Sequence, residues 1–371
     1  MIQLPVSFVD RIINLTCEIQ AIPAPTFHET RRAAFFLKQF RDLGLQDVQL
    51  DKIGNVLARL PGASQERPLV VSAHLDTVHP LDVPLDIQRQ ADRIIGPGIG
   101  DNSLGLAALV GLVELLQMHE IRLPGDLWLV ANVSEEGLGD LRGIQAVVDQ
   151  FGSGPLAYLV IEGMGLGAIL HRGLGVERYK ITVQTPGGHS WVNYGQPSAI
   201  HELCNIVTRI TSLTLPQKPC TTLNIGVIQG GTSVNTIAAQ AWLELDLRSE
   251  DRLALAHLVK EVNHIVNSAR RTGVTLRLER IGKRQAGQLP ADHSLVRMAR
   301  EVLAELDLEA RLDIASTDAN LPLSRGYPAI CIGITLGNNA HTTEEYILTR
   351  PIAQGLSQLA LLVERAWDKL K

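Results

Sequence analysis

The sequence predicts an α/β fold in which a mainly parallel sheet forms one domain and an inserted α+β segment forms a second, smaller one. Two patterns carry that prediction. Toward both ends of the chain, short and wholly apolar runs alternate with helical periodicity, as parallel strands buried on both faces by crossover helices require. In the middle, the apolar runs give way to period-two alternation, as antiparallel strands with one open face require. The expected division is a discontinuous domain, residues 1–172 and 285–371, interrupted by an insertion at 173–284.

The elements follow in order. Helical spacing marks "SFVDRIINLTCEIQAI", "ETRRAAFFLKQFRDLG" and "SLGLAALVGLVELLQM", and later "SLVRMAREVLAEL". Buried strands are expected at "PLVVSAHLD" (68–76), "GDLWLVANVS" (125–134), "LAYLVIEG" (156–163) and "PAICIGIT" (328–335). Inside the insertion, "VERYKITVQT" and "AQAWLELDLRS" alternate, and "SAIHELCNIVTRITSL" and "LALAHLVKEVNHIVNSARR" read as helices.

Composition narrows the function. A net charge of −5 offers no basic surface for nucleic acid, and 4% aromatic content offers no base-stacking platform. No apolar run approaches the roughly 20 residues of a membrane span, so no membrane contact is expected. The opening "MIQLPVSFVDRIINL" lacks the basic start and small-residue cleavage site of a signal peptide. Cys17, Cys204, Cys220 and Cys331 lie far apart with no CxxC pair, which reads as buried, reduced thiols and a cytoplasmic protein.

The chemistry concentrates where strands end. "NVSEEGLGD" places Glu135 and Glu136 side by side after a buried run, a costly position for two carboxylates unless each has work to do. "SAHLDTVHP" ends another strand with His74 and Asp76, two apart, so that Asp76 can accept the imidazole N–H and fix the ligating tautomer. "GPGIGDNSLG" puts Asp101 in a glycine-rich loop that opens a helix, "YLVIEGMG" ends a strand near Glu162, and "GNNAHTTEE" sets His341 in a loop after "ICIGIT". In an open α/β sheet such positions converge on one crevice. Two imidazoles and three carboxylates, with no thiolate, suit zinc, with cobalt or manganese as substitutes. Five ligands suit two ions, one carboxylate bridging them, about 3.5–4 Å apart and sharing an acidified water. Glu135 remains as the natural general base. Of the other histidines, only His79 lies near enough to the His74 strand to warrant a check for metal proximity.

In this order "HLDTV", "GDNSLG", "SEEGLGDLRG", "IEG", "GGHS" and "NNAHTTEE" resemble the co-catalytic zinc peptidase/deacylase family, which includes peptidase T, carboxypeptidase G, acetylornithine deacetylase and succinyl-diaminopimelate desuccinylase. The stretches "EEGLGDLRG" and "STDANLPLSRGYPAICIG" look most like the peptidase T branch. The resemblance implies one zinc on His74, Asp101 and Glu162 and a second on Asp101, Glu136 and His341, with Asp101 the bridge. It further implies that Asp76 orients His74, that Glu135 deprotonates the bridging water, and that the Asp101–Asn102 peptide is cis. The insertion then corresponds to the family's lid and dimerisation domain, so a homodimer is expected. His189 of "TPGGHSW" resembles the histidine that polarises the scissile carbonyl, often in the partner's site, by donating to the oxyanion. Asn235 of "TSVNTIA" and Arg248 of "ELDLRS" fall where the family holds substrate, and a guanidinium can grip a carboxylate with two parallel bonds.

The implied reaction is zinc-assisted hydrolysis of an amide in short peptides or, alternatively, of an N-acyl amino acid. The cues to substrate conflict. Glu at position 162 accompanies carboxypeptidases and deacylases in the family, whereas "STDAN" leans toward peptidase T, an aminopeptidase, so the end attacked stays open. Three rival readings are weaker. "EGMGLGA" fits G-x-G-x-x-A, but only "ILHRG" follows before strand pattern resumes, leaving no helix to receive a phosphate. No G-x-S-x-G elbow is present. A metal-free binding protein on the same fold conflicts with the complete donor set.

Overall fold

The structure, a computed structural model, describes residues 4–370. The apolar runs occupy the centre of a nine-stranded sheet, where Gly125–Asn132, Glu66–His74, Tyr158–Met164 and Ala329–Thr335 lie side by side and all parallel. Every residue of Ala329–Thr335 is buried, as are the last six of Glu66–His74. β-Branched and leucine side chains leave both faces of such strands, and both faces must be covered.

The flanks depart from the parallel pattern. Val56–Leu60 and Gln46–Leu50 extend one side antiparallel. On the other side Ala168–Gly173 runs antiparallel to Ala329–Thr335, and Gly287–Gln288 and Arg311–Ala315 pair with it. Gln46–Leu50 exposes four of its five residues, so it carries neither a buried run nor an alternation for the sequence to display. After Glu162 the chain turns through Gly165 and Gly167, both in the left-handed region, directly into Ala168–Gly173. No helix opens behind "EGMGLGA", in keeping with the rejection of a nucleotide loop.

Helices Val6–Gln20, Thr30–Asp42 and Ser294–Glu305 form where helical spacing predicts them, and Arg142–Phe151 and Ile352–Lys369 are added. Residues 1–3 of the N-terminal stretch lie outside the described residues. Gly105–Met118 buries nearly its whole circumference. With the turn before it, Ile99–Met118 spans 20 residues and is apolar enough to cross a membrane, a longer apolar element than the sequence reading allowed. Being 89% buried, it is a core helix, apolar all round because it is covered all round.

The chain divides into two compact units, Met1–Gly173 with Gly287–Lys371, and Leu174–Ala286. The second unit is a four-stranded antiparallel sheet in the order Thr221–Gly230, Gln240–Ser249, Gly175–Gln184, Thr275–Arg284. Gln240–Ser249 alternates strictly between buried and less buried residues, and helices Ala199–Thr211 and Arg252–Ser268 share its own apolar core. Thr221–Gly230 is an edge strand, largely exposed.

All four thiols are free. Cys17 and Cys331 are buried, but Cys204 and Cys220 are exposed, which corrects the expectation that all four would pack as small apolar groups. Cys204 lies on the outer face of an amphipathic helix, and Cys220 immediately precedes the exposed edge strand.

Candidate metal centre

Parallel strands end on one side of a sheet, so their last residues share an edge. Here the register sets His74 opposite Asn132 and Glu162 opposite Gly333. The chain leaves Asn132 for Glu135 and Glu136, and leaves Thr335 for His341. Asp101 comes from the irregular turn Ile99–Leu104, whose backbone is non-helical at Asp101 and Asn102. The Asp101–Asn102 peptide is cis. A Cβ on Gly163 would meet the Gly100 carbonyl oxygen at 2.0 Å, so glycine there lets the Asp101 turn press against the Glu162 strand.

These elements bring the five predicted donors together. Asp101 Oδ1 lies 3.1 Å from His74 Nε2, and Asp101 Oδ2 lies 3.1 Å from His341 Nε2. Glu162 Oε2 is 3.6 Å from His74 Nε2, and Glu136 Oε1 is 3.1 Å from His341 Nε2. Donor atoms of His74, Asp101 and Glu162 fall within 4.8 Å of one another, as do those of Asp101, Glu136 and His341, and those of His74, Glu135 and Glu136. A carboxylate facing two imidazoles through its two oxygens has the form of a bridge. All-oxygen-and-imidazole triples of this kind suit zinc, cobalt or manganese, so the residues present fit a pair of divalent ions.

The surrounding hydrogen bonds fix these side chains. His74 Nδ1 lies 3.0 Å from the main-chain carbonyl of Asp76, nearer than that residue's carboxylate at 3.5 Å. A carbonyl can only accept, so Nδ1 carries the proton and Nε2 is left facing the centre. The strand ends at His74, and the Asp76 carboxylate turns to other donors: the N–H of Glu135, the N–H of Glu136 and the hydroxyl of Thr26, each at 2.9 Å. Asp76 thus sets the paired glutamates, a role the H-x-D spacing did not reveal. Ser134, in the left-handed region, is tied to buried Glu29 through its N–H and hydroxyl. His341 is also left-handed, an uncommon conformation for a side-chain-bearing residue and one that clusters at working sites.

Proton affinities report the crowding. Burial pushes Glu162 up to about 7 despite the pull of His74, and burial likewise pushes Glu136 up to about 7 despite its bond to His341. Burial disfavours the charged form of Asp101, yet hydrogen bonds from His341 and His74 hold its carboxyl below the usual range. Hydrogen bonds to Asp101 and Glu136 raise His341 to about 10. Burial opposes protonation of His74, but Glu162, Asp101 and Asp76 together raise its pKa. Protons in this cluster stand where divalent cations would otherwise neutralise the carboxylates, so metal uptake must displace them.

His79 is buried with no partner for Nε2, but it joins none of the donor groups among the described residues. His189, Asn235 and Arg248 belong to the second unit. There the short ladder Gly188–His189 with Thr236–Ile237 brings His189 beside Asn235, whose carbonyl accepts the Ser190 N–H at 3.0 Å. His189 is exposed, and its Nδ1 accepts the N–H groups of Trp191 and Val192, so the proton resides on Nε2 and can be donated. Arg248 sits on Gln240–Ser249 with its Nε on Asp246 at 2.6 Å.

Besides Glu29, two buried carboxylates escaped the sequence reading. Asp318 of "STDAN" accepts from Asn132 Nδ2 at 2.7 Å beneath the centre, and burial, then the charge of Glu135, raises its pKa well above the usual range. Glu345 binds the turn of Asp101. Both lay inside quoted motifs, but an isolated acid beside a known ligand gives no spacing signal of its own. A cavity of about 450 Å³ opens beside Glu136, walled by Pro25, Val78, Pro80 and Leu81.

Residues 70–365 match Peptidase family M20/M25/M40. An acetylornithine deacetylase of Edwardsiella ictaluri is 26% identical over 315 residues, covering 80% of this chain and 79% of that protein. A tripeptidase of Staphylococcus aureus superposes with a TM-score of 0.82 at 22% identity, covering 96% and 98% of the two chains. The aminopeptidase PepT of Bacillus cereus superposes with a TM-score of 0.78 at 20% identity, covering 97% and 99%. At these identities the two structures establish a shared fold.

Proposed function

The chain belongs to Peptidase family M20/M25/M40 and is a metal-dependent hydrolase, and on that premise we propose that it cleaves an amide bond in short peptides with two zinc ions per subunit. The observation that carries this reading is Asp101, whose two oxygens each lie 3.1 Å from a different imidazole. His74, Asp101 and Glu162 would hold one ion, and Asp101, Glu136 and His341 the other. Such a pair, when bound, supplies Lewis acidity and lowers the pKa of a shared water.

The protein's own groups do the rest. Glu135, 5% exposed and fixed through its N–H to Asp76, takes a proton from the attacking water and returns it to the leaving nitrogen. His189 donates from Nε2 to the oxygen that gains charge. Asn235 supports the His189 loop, and Arg248 reads a substrate carboxylate. The cavity beside Glu136 suits an apolar side chain next to the scissile bond. The exposed edge Thr221–Gly230, with Trp191, Tyr194 and Val234 at 85%, 90% and 102% exposure, supports a homodimer formed through the second unit. Four free thiols support a cytoplasmic setting.

A second reading, hydrolysis of N-acyl amino acids, rests on the similarity to acetylornithine deacetylase. Zinc-reconstituted enzyme assayed over dipeptides, tripeptides and N-acyl amino acids decides between them. Glu135→Gln should keep both ions and lower kcat by about 10²–10⁴-fold. Near-normal turnover in that variant removes Glu135 from the role of base.

A further inference from the structure

Glu345 belongs to none of the donor groups, yet it is fully buried beside them. Its Oε1 accepts the N–H of Gly100 at 2.7 Å and the N–H of Asp101 itself at 2.8 Å, and its Oε2 accepts the N–H of Gly98 at 3.3 Å. These donors come from a turn whose backbone is not helical at Asp101 and Asn102. N–H groups at the entrance to a helix have no partner within it, and buried ones must be satisfied from outside. One carboxylate answers three of them, through charge-assisted bonds that are stronger than neutral ones.

The main chain secures the same junction. The carbonyl of Glu345 accepts the N–H of Gly96 at 2.8 Å, and the next residue, Tyr346, pairs with Ile95 in an antiparallel ladder. The chain leading into Asp101 is thereby fastened to the chain leading out of His341. His341 lies only four residues before Glu345, on the same loop. Two ligands from distant parts of the sequence thus share one anchor.

We propose that Glu345 is a positioning residue of the metal centre: it holds the Asp101 carboxylate between the two imidazoles and fixes the His341 loop to the same turn. The proposal rests on the two-ion reading above. It goes beyond burial of an acid for packing, because the bonded N–H groups include that of the bridging residue. Loss of Glu345 should therefore weaken metal binding at both positions, and most at the one His341 shares.

The test is zinc affinity of the full chain, stripped with a chelator and titrated against a chromogenic zinc indicator, with thermal unfolding of the stripped protein as the control for folding. Glu345→Ala should weaken zinc binding by about 100-fold with the His341 position worst affected, the upper end of what outer partners of metal ligands contribute. Glu345→Gln retains an oxygen for Gly100 and Asp101 but turns an amide N–H toward that of Gly98. It should recover part of the affinity, leaving a loss of about tenfold. Glu344→Gln, exposed on the neighbouring residue, should bind zinc as the unsubstituted chain does. Unchanged zinc affinity in folded Glu345→Ala overturns the proposal. Should that variant not fold, unchanged affinity in Glu345→Gln overturns it instead. If the unsubstituted chain fails to take up two zinc ions, the two-ion reading itself falls, and the proposal with it.

Discussion

The two halves of the metal centre are built from different materials. On one side His74 is 2% exposed at its side chain, it ends a central strand, and Glu162 leaves the adjacent strand. On the other side His341 is 53% exposed and Glu136 lies two residues after left-handed Ser134, both on loops. The first half inherits its geometry from the sheet, whose ladder sets the donors as a by-product of folding. The second half depends on side chains that grip backbone, Asp76 on Glu135 and Glu136, and Glu345 on the Asp101 turn. Sites on strands are held more tightly than sites on loops, and here a single centre spans both regimes, with Asp101 as the joint.

Breaking the joint should have the largest effect. Asp101→Asn removes a charge that both triples use, so both ions should be lost and kcat/KM should fall by roughly 10⁴-fold or more, about 5 kcal/mol of transition-state stabilisation. Metal content by elemental analysis together with peptide hydrolysis measures this. One full equivalent of retained zinc would mean that Asp101 does not bridge.

The two histidines separate the halves. His74→Ala empties a buried position and strips the Asp76 carbonyl of its donor, which should cost the metal-free protein about 2–4 kcal/mol. His341→Ala, on an exposed loop, should cost that stability less than His74→Ala does while still removing one ion. Denaturant unfolding of both stripped variants tests the contrast, and equal losses would erase the distinction between a sheet-built and a loop-built half. Under slow chelation the ion on the His341 side should leave first, so activity should vanish after about one equivalent of zinc is released, long before unfolding. Loss of activity only after the second equivalent would place the weaker site on the His74 side.

That same division explains what the sequence disclosed. The central strands were legible because β-branched and leucine runs buried on both faces have no other stable place, and the residues at their ends follow from the crevice rule. Gln46–Leu50 was not, because an exposed edge strand has no periodic apolar face to display, and Thr221–Gly230 shows only a weak alternation through Leu223, Ile225 and Val227 that glycine and exposure interrupt. His74, Asp101, Glu136, Glu162 and His341 were nameable from residue type and position. What holds them was not. The spacing of His74 and Asp76 suggested a carboxylate–imidazole pair; Asp76 Oδ1 does stand 3.5 Å from His74 Nδ1, but a main-chain carbonyl lies nearer, and the same carboxylate also binds the glutamate loop. Glu345 stood unremarked at the end of "GNNAHTTEE", and its partners lie more than 240 residues away in sequence. Contacts of that kind are made by tertiary structure and leave no local trace.

The smallest effect is expected in the second unit. Arg248 lies in the second unit with its Nε on Asp246, which Arg178 also contacts at 2.8 Å. A half-buried pair within one strand, with Arg178 left to hold Asp246, contributes about 1 kcal/mol to stability, so Arg248→Ala should change unfolding only slightly. If the rest of the guanidinium reads a substrate carboxylate, the variant should raise KM by about tenfold for peptides with a free C-terminus, on the order of 1.4 kcal/mol. It should leave kcat, and the KM of C-terminally amidated peptides, unaltered, because only binding common to ground and transition states is lost. An equal change for free and amidated substrates would return Arg248 to the surface ion pair it makes with Asp246, and would move carboxylate recognition to another part of the chain.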